Sequence, residues 1–386
     1  MLQSTLPYID LGGTIRSQSL AATMNLITPH LSTFGITRVA NVTGLDCIGI
    51  PVAVSIRPNA KHLSVSQGKG INWELAKVSA LMESIEGYHA ENPAAPDFTG
   101  DYATLHTSYP LAHPQQLAPG NITLTDITKW PMPWIRAIDL FTQQPIFIPH
   151  ALICLDSTIP HPEYNLFAIN SNGLASGNEL NEAICHAICE IIERDALCRW
   201  GASNEAARNS TQLQLESIQE PVIQQVITQF ANAKQAIKIW DITSAIGIPS
   251  FHCMISDLHP WRSLGSFRGT GTHLSKQVAL LRALTEAAQS RLTVISGSRD
   301  DVFLDHYQQR SSQIPDKQDA MGEKDYATCV QPDMAMDFGK NLQYLLQQLQ
   351  TKGYTNVWMV NHTKPEFTIP VVHVFIPGMK FTGSRM

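Results

Sequence analysis

The chain has 386 residues, of which 44% are hydrophobic and 16% are charged, proportions that are ordinary for a folded globular protein. Its formal net charge is −6 and no long basic run occurs, which excludes a nucleic-acid backbone as the expected partner. The cysteines are odd in number and scattered, which excludes the disulfide framework of a small secreted domain.

No targeting signal or membrane span is visible in the sequence. The first residues, MLQSTLP, have neither the basic n-region nor the apolar h-region of a signal peptide. The longest apolar stretch, residues 47–56, contains Gly49 and Pro51 and is too short to span a bilayer. Together with the scattered cysteines, these features predict a protein of the reducing cytoplasm with no membrane partner.

The first part of the chain predicts one helix, two strands and an irregular region. Apolar residues at helical spacing predict an amphipathic helix over residues 17–34. Residues 36–42 and 47–56 are rich in β-branched side chains and predict strands. Residues 92–120 are crowded with Pro, His and small residues, which predicts an irregular excursion.

The rest of the chain predicts a similar mixture of helices and strands. The predicted elements are short strands over 151–155 and 164–170, a Gln-rich helical region over 208–232, alternating strands over 235–257, a polar loop over 308–325, and a C-terminal unit over 338–386 with a helix at 338–352 and strands at 357–361 and 371–376.

An internal repeat is the most informative feature of the sequence. Its pattern is a first residue, Ala, an apolar residue, any residue, Glu, two further residues, and then Glu or Gln. The pattern occurs as SALMESIE at 79–86, HAICEIIE at 186–193 and RALTEAAQ at 282–289. Each copy follows glycines by about ten residues, at 68–70, 173–177 and 269–271. The repeat therefore predicts three strand–turn–helix units.

The polar residues of each copy fall at i, i+4 and i+7, which places them on one face of a helix. For a single helix the alternative is a solvated acidic face, but such a face usually mixes Lys and Arg among its charges. Convergent carboxylates repel one another unless a cation neutralises them, and Mg²⁺ bridges carboxylates to phosphate oxygens. The repeat thus predicts a metal–nucleotide site, although no Walker A, protein-kinase or clear dinucleotide-binding motif is present.

The repeat and its surroundings resemble the YcaO-domain family over nearly the whole chain. The resemblance is carried by residues 35–46 (GITRVANVTGLD), 66–70 (SQGKG), 79–86, 172–178 (NGLASGN), 182–195, 269–273 and 282–291. Each stretch is weak by itself, but all of them in this order are specific. Residues 35–46 further resemble the TfuA-associated subset of the family, which is linked to thioamide formation.

The resemblance implies an α+β fold in a single composite domain over residues 1–386. Three strand–turn–helix units, near 50–91, 164–200 and 261–297, are expected to surround a central ATP site, with a C-terminal α/β unit over 338–386. Proteins of this family bind ATP with several Mg²⁺ ions and activate an amide carbonyl oxygen by phosphorylation, after which a nucleophile replaces that oxygen.

The resemblance also assigns site residues by motif position. The expected Mg²⁺ ligands are Glu83, Glu86, Glu182, Glu190 and Glu193. The expected contacts to ATP are Arg16, Thr23, Lys69, Ser79, Asn178, Arg282, Glu286 and Gln289. No individual residue is assigned a catalytic role. One departure is Gly87, which stands where many family members have Arg after the second Glu of the helix.

The implied function is ATP-dependent modification of a peptide backbone. The favoured activity is thioamidation of a peptide or protein substrate, with an external sulfur donor and a TfuA-like partner. The reason is that the end of this sequence, FTGSRM, lacks the Pro-rich tail of many azoline-forming cyclodehydratases. Azoline-forming cyclodehydration is the alternative enzyme activity. A non-catalytic peptide-binding scaffold or regulatory partner is disfavoured because all five candidate metal carboxylates are present. A homodimer is a further expectation.

Several residues also have simpler interpretations. Ser176 with Glu179 fits a capping box at the start of a helix. Cys185, His186 and Cys189 have the residue types of zinc ligands, but the two cysteines are favoured as core residues. Cys189 or Cys198 is a candidate sulfur carrier. His273 is a structural residue or a site residue.

Overall fold

The computed structural model describes residues 8–117, 127–159, 166–258, 264–301 and 322–380. Helices and antiparallel sheets are mixed along these ranges, so the α+β prediction is confirmed. Within the same ranges, no helix combines the length and the apolar character that crossing a membrane requires.

The helices are α1 (Leu20–Ile27), α2 (Trp73–Glu91), α3 (Tyr102–Leu105), α4 (Leu180–Gly201), α5 (Glu205–Asn209), α6 (Pro221–Asn232), α7 (Lys276–Ser296) and α8 (Phe338–Thr351). The strands are β1 (Ile9–Asp10), β2 (Ile15–Arg16), β3 (Arg38–Asn41), β4 (Val52–Ile56), β5 (Val65–Lys69), β6 (Phe98–Gly100), β7 (Met132–Asp139), β8 (Pro145–Pro149), β9 (Leu174–Ser176), β10 (Gln235–Asp241), β11 (Ser250–Asp257), β12 (Ser266–Thr272), β13 (Trp358–Asn361) and β14 (Val371–Phe375).

Two of the three repeated units consist of a three-stranded antiparallel sheet followed by one long helix. The first sheet has the strand order β3-β4-β5 and is covered by α2, and the second has the order β10-β11-β12 and is covered by α7. Helix α7 also contacts β5, so the two units pack against each other. Buried apolar residues such as Phe251, Phe267 and Leu284 fill the space between α7 and its sheet.

The third unit belongs to a larger sheet. Six strands form an antiparallel sheet in the order β6-β7-β13-β14-β9, and β8 also pairs with β7. Helix α4 follows β9, packs on β14 and β9, and is covered on another side by α8. The strands near the end of the chain therefore complete the sheet that supports α4.

The glycines of two repeats lie within strands rather than in turns, which corrects the strand–turn–helix prediction. Gly68 lies in β5, and Gly269 and Gly271 lie in β12. A Cβ atom on Gly68 would come within 2.1 Å of the backbone of α2, and one on Gly269 within 2.2 Å of the backbone of α7. These glycines let each helix lie directly on its strand, because no side chain separates the two backbones. Among the glycines that precede the three repeated helices, only Gly173, before α4, has a positive φ, at +82°.

The first predicted helix is shorter than expected. Residues 17–34 contain α1, which begins after the N-cap Ser19, whose side chain accepts a hydrogen bond from the Ala22 backbone N–H. A 3₁₀ turn containing Pro29 follows α1, since proline has no N–H to continue the hydrogen-bonding pattern of an α-helix.

The strand predicted over 151–155 is wrong. Residues His150–Ile153 form a 3₁₀ helix in which Ala151, Leu152 and Ile153 are all buried. A short apolar run that is buried on all sides has no periodicity, so its sequence does not distinguish a strand from a helical turn.

The remaining predictions divide between those that the structure describes and those outside it. The predicted strand over 164–170 begins outside the described residues, and residues 166–170 contain no strand. The helical region over 208–232 is α6 together with the end of α5. Most of the predicted loop over 308–325 lies outside the described residues. The strands at 235–257 and the C-terminal helix and strands are confirmed by β10, β11, α8, β13 and β14.

Candidate active site

Carboxylates from α2 and α4 lie close together beside the end of β9. The pKa of Glu86 is raised to about 8, first by burial and then by the negative charges of Glu83 and Glu190. Two hydrogen bonds oppose this rise: the Ser176 backbone N–H donates to Glu86 Oε1 over 2.8 Å and the Ser176 hydroxyl over 2.7 Å. A carboxyl group with such a pKa keeps its proton near neutral pH unless a bound cation replaces that proton. The structure therefore brings three of the predicted metal ligands together.

The capping-box interpretation of Ser176 is wrong. The N-cap of α4 is Glu179, and its side chain makes no capping hydrogen bond. Ser176 ends β9, four residues before the first residue of α4, so its hydroxyl is free to reach across to Glu86 on α2. The sequence does not indicate this contact, because the spacing of Ser176 and Glu179 suggests a local role.

Glu182 lies at the start of α4 and is 2% exposed. Its Oε2 atom accepts hydrogen bonds from the Ser17 backbone N–H at 3.0 Å and from the Ser17 hydroxyl at 2.5 Å. Arg16 lies 3.6 Å from Glu182 Oε1, and the Asn178 side-chain amide donates to the same carboxylate over 3.3 Å. These contacts attach the segment after β2 to α4.

Thr23 and Asn178, two of the predicted ATP contacts, are hydrogen-bonded to each other. The Thr23 hydroxyl donates to Asn178 Oδ1 over 2.7 Å. This contact joins α1 to the segment between β9 and α4 and leaves the Asn178 amide N–H groups directed at Glu182. Both residues thus belong to the same network as Arg16.

A second group of charged residues surrounds Thr270 of β12. The Thr270 hydroxyl donates to Glu193 over 2.9 Å, and the Thr270 backbone N–H donates to Glu286 over 3.3 Å. The Lys69 ammonium group lies 2.5 Å from the Glu286 carboxylate, and Arg194 lies 3.5 Å from Glu193. All three repeated units therefore contribute to this group, through β5, α4, β12 and α7.

The pKa values of the two carboxylates of this group are shifted in opposite directions. Burial raises the pKa of Glu193, and the negative charge of Glu286 adds to the rise against the opposing charge of Arg194. Burial also works to raise the pKa of Glu286, but the positive charges of Lys69 and Arg194 lower it to about 2. Glu286 is consequently ionised, whereas ionisation of Glu193 is favoured by a further cation.

A pocket opens between β2, α4, α7 and α8. Its polar lining includes Arg16, Glu182, His186, His273, Arg282 and Asn341, and Phe338 contributes to its apolar wall. Burial and the positive charges of Arg282 and Arg16 lower the pKa of His273 to about 3. The same causes hold the pKa of His186 well below its ordinary value. Both imidazoles are therefore neutral, and the pocket carries two guanidinium groups.

The last two predicted ATP contacts lie on the same helices. Ser79 is half-buried on α2, one turn before Glu83. Gln289 lies on α7 and donates from its side-chain amide to the Gln67 carbonyl oxygen over 2.8 Å, which attaches α7 to β5. Their contact with a nucleotide remains a prediction, as does the role of every other predicted site residue.

The donor set fits Mg²⁺ bound together with phosphate. Among the described residues, no three His, Cys, Asp or Glu side chains form a ready-made metal cage. Mg²⁺ typically takes one or two carboxylates and completes its octahedron with phosphate oxygens and water. Burial, and after it the negative charges of Glu83 and Glu190, raise the pKa of Glu86, and a bound cation would favour its ionised form.

The buried cysteines of α4 do not fit a reactive role. Burial raises the pKa of Cys189 to about 12, and it raises that of Cys185 well above the ordinary value. The thiolate is the reactive form of cysteine, so both side chains are inert thiols at neutral pH.

Comparison with protein families identifies the chain. The model described as "YcaO cyclodehydratase, ATP- and Mg²⁺-binding" matches residues 67–380. The chain belongs to the YcaO family. ATP and Mg²⁺ are accordingly its cofactors, as the sequence predicted. The matched region contains the three repeated helices.

Two curated relatives match the YcaO chain along most of its length. One is an uncharacterized protein in the tfuA 3′ region of Rhizobium leguminosarum bv. trifolii, 34% identical over 381 residues, which cover 95% of this chain and 88% of the relative. The other is an uncharacterized protein of Methanothermobacter thermautotrophicus, 31% identical over 372 residues, which cover 93% of each chain. The first relative is consistent with the TfuA-associated subset.

Two solved structures share the fold. The chain superposes on a heterocyclase in complex with substrate and cofactor with a TM-score of 0.78 and 21% identity, covering 98% of this chain but only 55% of the heterocyclase. It superposes on YcaO from Methanopyrus kandleri bound with AMPPCP and Mg²⁺ with a TM-score of 0.70 and 18% identity, covering 95% and 92% of the two chains. This chain therefore spans about half the length of the heterocyclase.

Proposed function

We propose that this protein uses ATP and Mg²⁺ to activate a backbone amide of a peptide or protein, and that an external sulfur donor then replaces the amide oxygen. The observation that carries the ATP-dependent step is the group of carboxylates around Glu86, whose crowding a cation would relieve. The sulfur donor and a TfuA-like partner are supported by the relative from the tfuA 3′ region.

The residues of the site divide into three roles. Glu83, Glu86, Glu190 and Glu193 would hold Mg²⁺, which when bound neutralises the phosphate oxygens and the charge that develops during phosphoryl transfer. Glu182, which is hydrogen-bonded to Ser17 and Asn178, stays a predicted ligand. The guanidinium groups of Arg16 and Arg282 face the pocket and would bind the phosphate oxygens. Lys69 and Arg194 keep Glu286 ionised, which fixes the arrangement of charges on the side of α7.

The proposed reaction conserves atoms and charge. The amide oxygen forms a bond to the terminal phosphorus of ATP while the bond to the ADP oxygen breaks. Hydrogen sulfide ion, supplied directly or by a donor protein, adds its sulfur to the carbonyl carbon. The bond from carbon to the phosphorylated oxygen then breaks, and the products are a thioamide, ADP and hydrogen phosphate, which carries the proton from sulfur. An amide oxygen is a poor leaving group, and phosphorylation makes its departure possible.

Incubation with a peptide tests the proposal. The purified protein, a TfuA-like protein, Mg·ATP, sulfide and the peptide should yield a product whose mass increases by the difference between sulfur and oxygen. The product should also absorb at a longer ultraviolet wavelength than an ordinary amide. Omission of sulfide should abolish both changes, and Glu190→Gln serves as the inactive control.

Azoline-forming cyclodehydration is the second candidate, because the family description and one similar structure name this chemistry. In that reaction a Cys, Ser or Thr of the substrate supplies the nucleophile, and the peptide loses one water without added sulfide. Loss of water under those conditions would refute thioamidation while retaining the ATP site. ATP binding without any change in peptide mass would instead favour a peptide-binding scaffold.

A further inference from the structure

His186 and Arg282 occupy the same position of the internal repeat, the first residue of the pattern, on α4 and α7. A nitrogen of the Arg282 guanidinium lies 2.5 Å from His186 Nε2, so the two helices meet at these equivalent positions. Within the described residues, this contact is the hydrogen bond that the Arg282 side chain makes.

The chemistry of the two side chains determines the tautomer of His186. A guanidinium group only donates hydrogen bonds, so His186 Nε2 must present its lone pair and the imidazole must be neutral. The ring proton therefore resides on Nδ1. Burial and the nearby cations Arg282 and Arg16, which lower the pKa of His186, favour the same neutral form.

The Nδ1–H group has no acceptor among the residues that the structure describes, although the atom is buried. A buried donor without a partner is energetically unfavourable, so an acceptor from outside the chain is expected. His186 lines the same pocket as Arg16 and Arg282. The Glu182 carboxylate, which lines the same pocket, already accepts hydrogen bonds from Ser17 and Asn178 and lies near Arg16. It is therefore not the acceptor for His186 and Arg282, and another acceptor is needed.

We propose that His186 is a binding and positioning residue for the nucleotide: its Nε2 holds the Arg282 guanidinium in place, and its Nδ1–H donates to an anionic phosphate oxygen beside that guanidinium. This inference rests on the proposed ATP-dependent function and assigns His186 to the same site. The neutral imidazole is suited to the role because it accepts from Arg282 on one side and donates on the other.

Three substitutions at position 186 separate this role from packing. Glutamine has an amide oxygen that accepts from Arg282 and an amide N–H that donates to phosphate, so His186→Gln should bind Mg·ATP with a dissociation constant close to that of the wild type. His186→Leu fills the space but has neither function, and its affinity should fall roughly tenfold to hundredfold, as for a lost hydrogen bond to a charged group. The affinity of His186→Glu for Mg·ATP should fall at least as far, because the new carboxylate pairs with Arg282 but repels phosphate and has no proton to donate.

Calorimetric binding of Mg·ATP to the full chain, with the melting temperature of each variant, provides the test. His362→Leu is the matched control, since His362 is also buried but does not line the pocket, and its affinity should equal that of the wild type. If His186→Leu does not fold, the comparison of Gln with Glu, which have nearly equal size, still decides the question.

The wild type and His186→Gln are expected to bind Mg·ATP more tightly than His186→Leu and His186→Glu. Equal affinity of the Gln and Glu variants, or wild-type affinity of the Leu variant, would overturn the assignment of His186. Failure of the wild-type protein to bind Mg·ATP would instead refute the proposed function itself, before any variant is compared.

Discussion

Replacement of Gly269 by alanine would place a methyl group against the backbone of α7. The added Cβ atom would lie 2.2 Å from the Ala283 carbonyl oxygen and 2.3 Å from the Ala287 nitrogen, whereas ordinary contacts begin at 3.4 Å. Helix α7 would have to move by about 1 Å to relieve these contacts. Overpacking of a buried site typically costs about 1–3 kcal/mol, and the upper end is expected because helix backbone yields less easily than a side chain.

The displacement should also reach the candidate active site. Thr270, the next residue, hydrogen-bonds to Glu193 and Glu286, and Glu286 lies on the helix that has to move. Gly269→Ala should therefore lower both the free energy of unfolding in urea and the affinity for Mg·ATP. Gly44→Ala is the control, because no atom lies within 4 Å of its added Cβ. Equal stability of the two variants would refute the close strand–helix packing inferred here.

Two further predictions concern charge. Glu190→Gln should fold normally but lose Mg²⁺-dependent ATP turnover, measured as phosphate release. Glu74→Gln, in the first turn of α2, is the control and should retain this turnover. Wild-type turnover by the Glu190→Gln variant would refute the place of Glu190 at the metal site. Burial lowers the pKa of His373 from 6.5 to about 4. Between these two pH values the unfolded chain binds a proton that the folded chain does not. The contribution of neutral His373 to the free energy of unfolding is therefore complete above pH 6.5 and is lost as the pH falls from 6.5 towards 4. His373→Gln should show a smaller loss of unfolding free energy than the wild type over that range, and parallel pH curves would contradict the assignment.

The sequence by itself determined the long helices and their polar faces. The pattern in residues 79–86, 186–193 and 282–289 predicted helical segments that the structure places in α2, α4 and α7. This succeeded because helical periodicity is a local property: residues at i, i+4 and i+7 share a face whatever the helix packs against. The same pattern predicted that carboxylates would converge, and the neighbouring charges of Glu83, Glu86 and Glu190 agree with it.

Only the tertiary structure decided how the units meet. Gly68 and Gly269 were expected in turns, but each lies in a strand whose helix approaches too closely for a Cβ atom, a distance that no local pattern records. Ser176 has the local spacing of a helix cap, yet its hydroxyl donates to Glu86, 90 residues earlier in the chain. The pairing of His186 with Arg282 likewise depends on the crossing of two helices, because hydrogen bonds between distant residues are set by packing and not by propensity.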